Sequence, residues 1–567
     1  MADHIRLASA VILITLLGFL FFPGHTWLQQ DSQIYAAILE HHWDPTVLAN
    51  DPIAVNHHLT FTIYDELALA ARRVTGLEFQ PILVAGQLLF RALAILGIFL
   101  IGVSLGLSRR LALLVAAVFA LGATVMGPAV LTVEYEPKPR GAATGLLFLA
   151  IGLLAQRRHR AAAVAGAAAF LLHPPTACPF WAVYLVWAAR AAWKGRAAVA
   201  GDLGKREAVQ PWTGLLVLAG AAVLLFAVSR YQIGGPGHSE WFARISPEAE
   251  ALQKLRCSYV WVSAWIGEWL RHYLFLWAVS LLAFWRLRPE MPAPLKFFAA
   301  GLPAVGMLSL PASYLLLDLA KLSLMTQFLP ARALLFVPAF AVILAAAACY
   351  RAARARQLAE ALIWGLLAFA IPMTENVFTI LLPDFSQPYT GRRILLAVTL
   401  SALAVAAGRL DGSARIPATL AFSIAAVLPF TLIPSYARVP TEANMHHEEL
   451  DALAGWAREN TPREAVFLFA GAGRGRQPGI FRVRAQRAIY VDWKAGGQVN
   501  MVDEYALEWG RRWRATMADG FTPARLDEFA QLGIDFVVLQ SANCLAGRPA
   551  VYQNGRYCVY RLSAAGG

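Results

Sequence analysis

Acidic residues gather just beyond the ends of apolar stretches in this chain, with cations beside them. Asp31 stands in Gln29-Gln30-Asp31-Ser32-Gln33-Ile34-Tyr35, and two more acids stand in Glu134-Tyr135-Glu136-Pro137-Lys138-Pro139-Arg140. Lys138 and Arg140 follow Glu134 and Glu136 directly, and His173 precedes Pro174-Pro175 at the end of another apolar stretch. A carboxylate that takes a hydroxyl proton, next to cations that stabilise a departing phosphate, is what glycosyl transfer from a lipid phosphate requires. Any one of these residues alone reads as a solvated loop charge; the set carries the expectation. Arg332, in Pro330-Ala331-Arg332, opens an apolar stretch. There its guanidinium either grips a lipid phosphate through paired hydrogen bonds or snorkels to water. Arg91 lies deep inside another stretch, where an ionisable group is costly and is either paired within the bundle or functional. Asp51, His57 and His58 could supply ligands to a divalent ion, which carboxylate and imidazole suit. No spacing rule marks that trio, and solvated loop histidines are its ordinary reading.

What must position these residues is a membrane. Of 567 residues, 58% are hydrophobic and 15% charged, with mean hydropathy +0.52. Soluble domains carry about 25% charged residues, so the chain is too apolar for water, and disorder, collagen and coiled coil are excluded with it. The apolar residues fall in thirteen blocks, 8–22, 82–105, 111–126, 142–155, 161–173, 177–193, 213–229, 271–286, 297–317, 331–349, 358–372, 393–408 and 416–434. This block pattern is the signature of membrane helices, so the expected fold is a polytopic α-helical membrane protein of about thirteen spans. Blocks 142–155 and 161–173 read either as two spans or as one re-entrant hairpin. Residues 1–22 look like a signal peptide without a small-residue cleavage site, and are read as an uncleaved first span.

Orientation follows from Lys and Arg. With the N-terminus in the cytoplasm, the inner loops hold 19 basic and 6 acidic residues, the outer loops 12 and 16, and the tail from Ser435 16 and 14. The net charge of +13 is therefore a topology signal and calls for no nucleic acid. Residues 1–434 form the expected membrane unit, and its outer loop 24–81 carries two surface helices near Ser32–Glu40 and Thr62–Arg72. The aromatic run Tyr259, Trp261, Trp265, Trp269 in a later outer segment reads as an interfacial belt. Residues 435–567 read as a soluble α/β unit outside the membrane. Its helix lies at 446–459 and its strands at 465–469, 488–491 and 535–539, with a further helix at 523–532. Cys544 and Cys558 flank a hairpin turn at Asn554-Gly555 and could pair in an oxidising compartment. Its basic cluster of Arg474, Arg476, Arg482, Arg484 and Arg487 suits either an anionic acceptor glycan or docking onto the acidic outer loops. The chain has no P-loop, dinucleotide glycine motif or zinc spacing.

On Asp31, the Glu134/Glu136 motif and the layout, the sequence resembles the GT-C glycosyltransferases, which include oligosaccharyltransferase, protein O-mannosyltransferase and the lipid A aminoarabinose transferase. Those enzymes are similar in carrying a catalytic Asp early in a large first outer loop and a second acidic motif after the third span. The resemblance implies a polyprenyl-phosphate-sugar donor, transfer on the outer face of the bacterial inner membrane, and inversion at the sugar. In it Asp31 is the general base or orients the acceptor, and Lys138, Arg140 and Arg332 hold the phosphate. A divalent metal serves some relatives and not others. Asp31 stands alone, without the Asp-Asp or Asp-Glu pair of the family, and the Trp-Trp-Asp signature of oligosaccharyltransferase is absent, so that substrate class is not expected. Two other classes compete: a transporter or flippase of a lipid-linked glycan, and a ligase or polymerase of the O-antigen type. A transporter needs charges or broken helices at mid-membrane, and an O-antigen ligase places its large loop late. The observation that separates them is whether Asp31 and Glu134/Glu136 converge on one outer cavity.

Overall fold

The computed structural model describes residues 2–55, 61–125, 127–128, 130–198, 210–232, 243–373, 390–433, 446–501 and 503–562. It is a polytopic membrane helical protein. In lipid a backbone must satisfy its own hydrogen bonds, and a helix covers each apolar block, from Ala2–Leu20 to Arg415–Leu432. Among the described residues, seven helical stretches are long and apolar enough to cross a membrane, and three more apolar helices, Pro139–Ala155, His159–Leu172 and Leu358–Pro372, are shorter. At the centre runs Phe336–Arg354, in which every residue except Arg351 and Arg354 is buried. Its alanine-rich surface lets Gly267–Leu287, Leu358–Met373 and Thr390–Leu410 pack around it.

The helices Phe79–Ser104 and Pro139–Ala155 carry the site from below, and glycines set their separation. A Cβ at Gly145 would lie 2.3 Å from the Phe90 carbonyl oxygen, and one at Gly152 2.3 Å from that of Gly97. Only glycine allows so close an approach, the device by which packed membrane helices associate without a hydrophobic driving force.

After the first apolar helix, the first loop forms the helices Ser32–Trp43 and Tyr64–Thr75. Beyond residue 446 stands a five-stranded mixed sheet in the order Ala488–Ile489, Val466–Phe469, Phe536–Gln540, Tyr557–Arg561, Tyr552–Gln553. The first three strands are parallel and the last two are antiparallel neighbours. Parallel strands need helical crossovers, and Gln477–Ala485 supplies the first; neither it nor Asp503–Met517 is expected from the sequence. Cys544 and Cys558 are disulfide-bonded, with Cα atoms 6.0 Å apart.

The sheet unit is keyed into the first loop by a buried ion triad. Arg482 donates from Nε to Asp51 Oδ2 at 2.6 Å and from Nη2 to Asp492, and all three side chains are almost wholly enclosed. Asp51 Oδ2 also accepts Ile489 N–H at 2.9 Å, while Oδ1 accepts Ile53 N–H at 2.9 Å. Both oxygens of Asp51, named above as a possible metal ligand, are thus taken up in docking the sheet unit onto the first loop. His57 and His58 lie outside the described residues. The aromatic run needs correcting: Trp261 and Trp265 are buried, and Trp265 donates to the Tyr259 carbonyl at 2.9 Å. These rings are packing, not an interfacial belt.

Removing one partner of a buried ion cluster leaves uncompensated charge, at a cost of about 3–5 kcal/mol. Arg482→Ala should lower unfolding stability in detergent by that order; an unchanged denaturant midpoint would remove the triad as the tie between sheet and loop.

Candidate functional site

Between the helix ends and the sheet unit lies a cavity of about 890 Å³, within the range of about 300–1,000 Å³ usual for ligand sites. Asp31, Glu134, Lys138, Arg140, His173 and Arg332 all line it. Six of the seven residues expected to act together therefore meet in one place, drawn from four separate segments. The seventh, Glu136, stands behind the wall.

Glu136 shows how the loop is built. The helix Ser32–Trp43 begins at Asp31, whose side chain makes no capping bond, and the N–H groups of the turn that leads into it need an acceptor. Glu136, fully buried, provides it: Oε1 accepts Gln29 N–H at 2.9 Å, Gln30 N–H at 2.6 Å and the Ser32 hydroxyl at 2.7 Å, and Oε2 accepts Asp31 N–H at 2.9 Å. Carboxylates are favourable at helix N-termini. With both oxygens so engaged, Glu136 holds the backbone at Asp31 from behind the cavity wall. The segment 134–140 is anchored in turn from the membrane. Arg91 donates to the carbonyls of Gly18 at 3.1 Å, Gly24 at 2.7 Å and Glu134 at 2.5 Å, and Gln87 adds a bond to Glu134 O at 3.0 Å.

Freed from capping, the Asp31 carboxylate points into the cavity with 31% of its side chain exposed. Lys138 lies 3.2 Å from Oδ2, and Lys494 of the sheet unit donates to Oδ1. Burial alone would raise the Asp31 pKa, but Lys138, Lys494 and Arg140 outweigh it and hold the carboxyl well below the ordinary range. Glu134 is more enclosed. Its Oε1 accepts Arg140 Nε at 2.7 Å and Lys138 lies 3.4 Å from Oε2, and despite burial these cations lower its pKa. Lys138 is raised, since Asp31, Glu134 and Glu136 around it overcome its own burial. Burial first, and Asp31 second, push Tyr35 up to about 12, so its hydroxyl stays a neutral donor on the cavity wall.

His173 ends the helix His159–Leu172, and its Nδ1 accepts Thr176 N–H at 3.2 Å, which leaves the other ring nitrogen for a ligand. Arg332 sits in the 3₁₀ turn Pro330–Leu335 that opens the central helix. Its Nε is buried without a hydrogen-bond acceptor among the described residues. Four cavity residues come from places the sequence reading does not connect to Asp31: Arg256 from an outer segment and Arg474, Arg476 and Lys494 from the sheet unit. Seven cations thus face two carboxylates across this space. Among the described residues no group of three His, Cys, Asp or Glu is placed to hold a metal ion.

Residues 448–516 match the family model described as Domain of unknown function (DUF6798). No curated protein matches the chain. Among solved structures, ArnT from Cupriavidus metallidurans in the apo state aligns over 99% of this chain and 98% of its own, at 14% identity and a TM-score of 0.50. ArnT from the same organism bound to undecaprenyl phosphate aligns over 100% and 99%, at 16% identity and a TM-score of 0.49. The chain has a GT-C-like fold.

The depressed Asp31 pKa fixes a sign. Its ion pairs contribute stability that is present above the ordinary aspartate value of 3.8 and lost as pH falls through the lower folded value. Lys138→Met removes the largest lowering influence, so the acid limb of the plot of melting temperature against pH should move upward. Superimposable acid limbs in wild type and variant would contradict the clamp.

Proposed function

On this GT-C-like fold, we propose that the chain is an integral membrane glycosyltransferase that moves a sugar from a polyprenyl-phosphate-linked donor to an acceptor on the outer face of a bacterial inner membrane. The observation that carries the reading is Arg332: a guanidinium with an unsatisfied buried Nε, lining the same cavity as Asp31 and Arg140. Such a cation calls for an anion, and a phosphate fits its fork. A second, mostly apolar groove of about 200 Å³ runs between the first helix and Phe79–Ser104, walled by residues such as Ile14, Leu83, Phe90 and Phe119. It shares Glu134, Lys138 and Leu172 with the large cavity, so a lipid chain lying there has its head group at the charged space.

In this reading an acceptor hydroxyl oxygen attacks the anomeric carbon from the side opposite the phosphate. The new C–O bond forms as the bond from anomeric carbon to phosphate oxygen breaks, with inversion. The bonding pair leaves with the lipid phosphate, whose growing charge Arg332 and Arg140 stabilise. The hydroxyl proton passes to Asp31, which first orients the acceptor and accepts the proton late, once bond formation has acidified it. Glu134 keeps Arg140 and Lys138 in place, and Tyr35 and His173 present polar groups to the sugar. A translocation path finds less support. Arg91, the charge at depth, is spent on three backbone carbonyls.

Reconstituted protein should transfer, or slowly hydrolyse, a labelled polyprenyl-phosphate sugar. Asp31→Asn should lower that rate by about 10²–10⁴-fold, with folding intact, and Arg332→Gln should weaken donor use by on the order of tenfold or more. Wild-type turnover in Asp31→Asn would remove Asp31 from the chemistry.

A further inference from the structure

The cations of the large cavity fall into two sets with different accounts. Lys138 and Arg140 are balanced by Asp31, Glu134 and Glu136. Arg332 answers the single negative charge of a phosphodiester donor. Three guanidiniums remain. Arg256 and Arg474 both lie over the Trp493 ring, 4.8 and 4.6 Å from its centroid. Arg256 also donates to the Trp493 carbonyl at 2.5 Å, and Arg476 donates to the Gln29 carbonyl at 3.4 Å. None of the three forms an ion pair with a carboxylate among the described residues. A like-charged group facing a partly enclosed space is costly unless something anionic enters it.

The fold brings two of these guanidiniums and Lys494 from one edge of the sheet, and Arg256 reaches them from the helix Pro247–Cys257. Arg474 and Arg476 lie in the loop after strand Val466–Phe469, and Trp493 and Lys494 follow strand Ala488–Ile489. These strands are parallel neighbours, so both segments leave the same, carboxyl edge of the sheet, where open α/β sheets bind ligands. Gly471 and Gly473, at φ +90° and +51°, permit the left-handed turns of the first loop at no steric cost.

We propose that this carboxyl edge is a second anion subsite, formed by Arg256, Arg474, Arg476 and Lys494, which binds a phosphate or carboxylate group carried by the acceptor. The assignment to the acceptor rests on the transferase reading above. It names the acceptor class as an anionic glycan or glycolipid rather than a neutral one. Trp493 sets the spacing of two of the guanidiniums. Lys494 links the subsite to the base, because an anion there draws on the same ammonium that Asp31 holds.

The test counts anions on the full-length protein in detergent, by phosphorus NMR titration with inorganic phosphate in wild type, Arg474→Gln/Arg476→Gln and Arg332→Gln. The expected result is two phosphate sites in wild type. The double variant should weaken one on the order of tenfold or more while keeping the other, and Arg332→Gln should do the reverse. A melting curve for each variant checks that it is folded. A single phosphate site, or two sites that survive Arg474→Gln/Arg476→Gln unchanged, overturns the subsite. Addition of a phosphorylated and an unphosphorylated form of one oligosaccharide to the double variant then separates sources: an acceptor subsite loses its preference for the phosphorylated form, and a site for free phosphate leaves that preference intact and overturns the assignment. Failure of donor turnover in wild type would sink the transferase reading while the phosphate count still decides the subsite, so the two fail separately.

Discussion

One buried carboxylate organises the face of this protein that carries the cavity. Glu136 accepts the N–H groups of Gln29, Gln30 and Asp31 and the hydroxyl of Ser32, more than a hundred residues away along the chain. An anion enclosed in protein is expensive unless its oxygens are fully used. Here that requirement is met by the start of the first loop, with Lys138 3.4 Å from Oε2. The consequence is that Asp31 has its backbone fixed by Glu136 and its side chain left over for the cavity. Arg91 does the matching work from below, holding together the carbonyls of Gly18 at the end of the first helix and of Gly24 and Glu134 in the loops beyond. Loops at a membrane surface are usually the mobile part of a protein; these are pinned on both sides by charge-assisted bonds.

The sheet unit closes the site from above with two different contacts. The Asp51–Arg482–Asp492 triad is dry and fully enclosed, which suits a permanent joint. The Lys494–Asp31 pair is partly exposed at the cavity edge, where solvent and ligands compete for it. The same unit thus provides a rigid dock and an exchangeable contact to the residue at the centre of the proposed chemistry. A carboxylate held between two ammonium groups is a weak base, and its strength depends on what else those ammonium groups hold.

Much of this was legible from residue types. Helices lie over all the apolar blocks because block hydrophobicity, unlike periodicity, survives whatever the neighbours are. Asp31, Lys138, Arg140, His173 and Arg332 stand out only as a set, because each alone reads as a solvated or snorkelling charge. What the sequence does not carry is direction. In Glu134-Tyr135-Glu136, two acids two residues apart look equivalent, yet one lines the cavity and the other is consumed as a cap. Asp51 reads as a ligand for the same reason, since nothing local shows that Arg482 fills it. Lys494 is visible as a basic residue in an aromatic run, but its partner is 463 positions away, and no pattern of spacing encodes a contact between two separately folded units. The tryptophans at 261 and 265 mislead because an interfacial belt and a buried packing cluster have the same composition.

The central claim is that the cavity around Asp31 is where a lipid-linked sugar reacts. A cryo-electron microscopy structure of the protein with a non-transferable polyprenyl-phosphate sugar analogue tests it most directly. The account requires density for the phosphate within hydrogen-bonding reach of Arg332, the sugar facing Asp31, and the lipid chain leaving along the groove between the first helix and Phe79–Ser104. A donor bound with its phosphate away from Arg332, or outside this cavity, would contradict it.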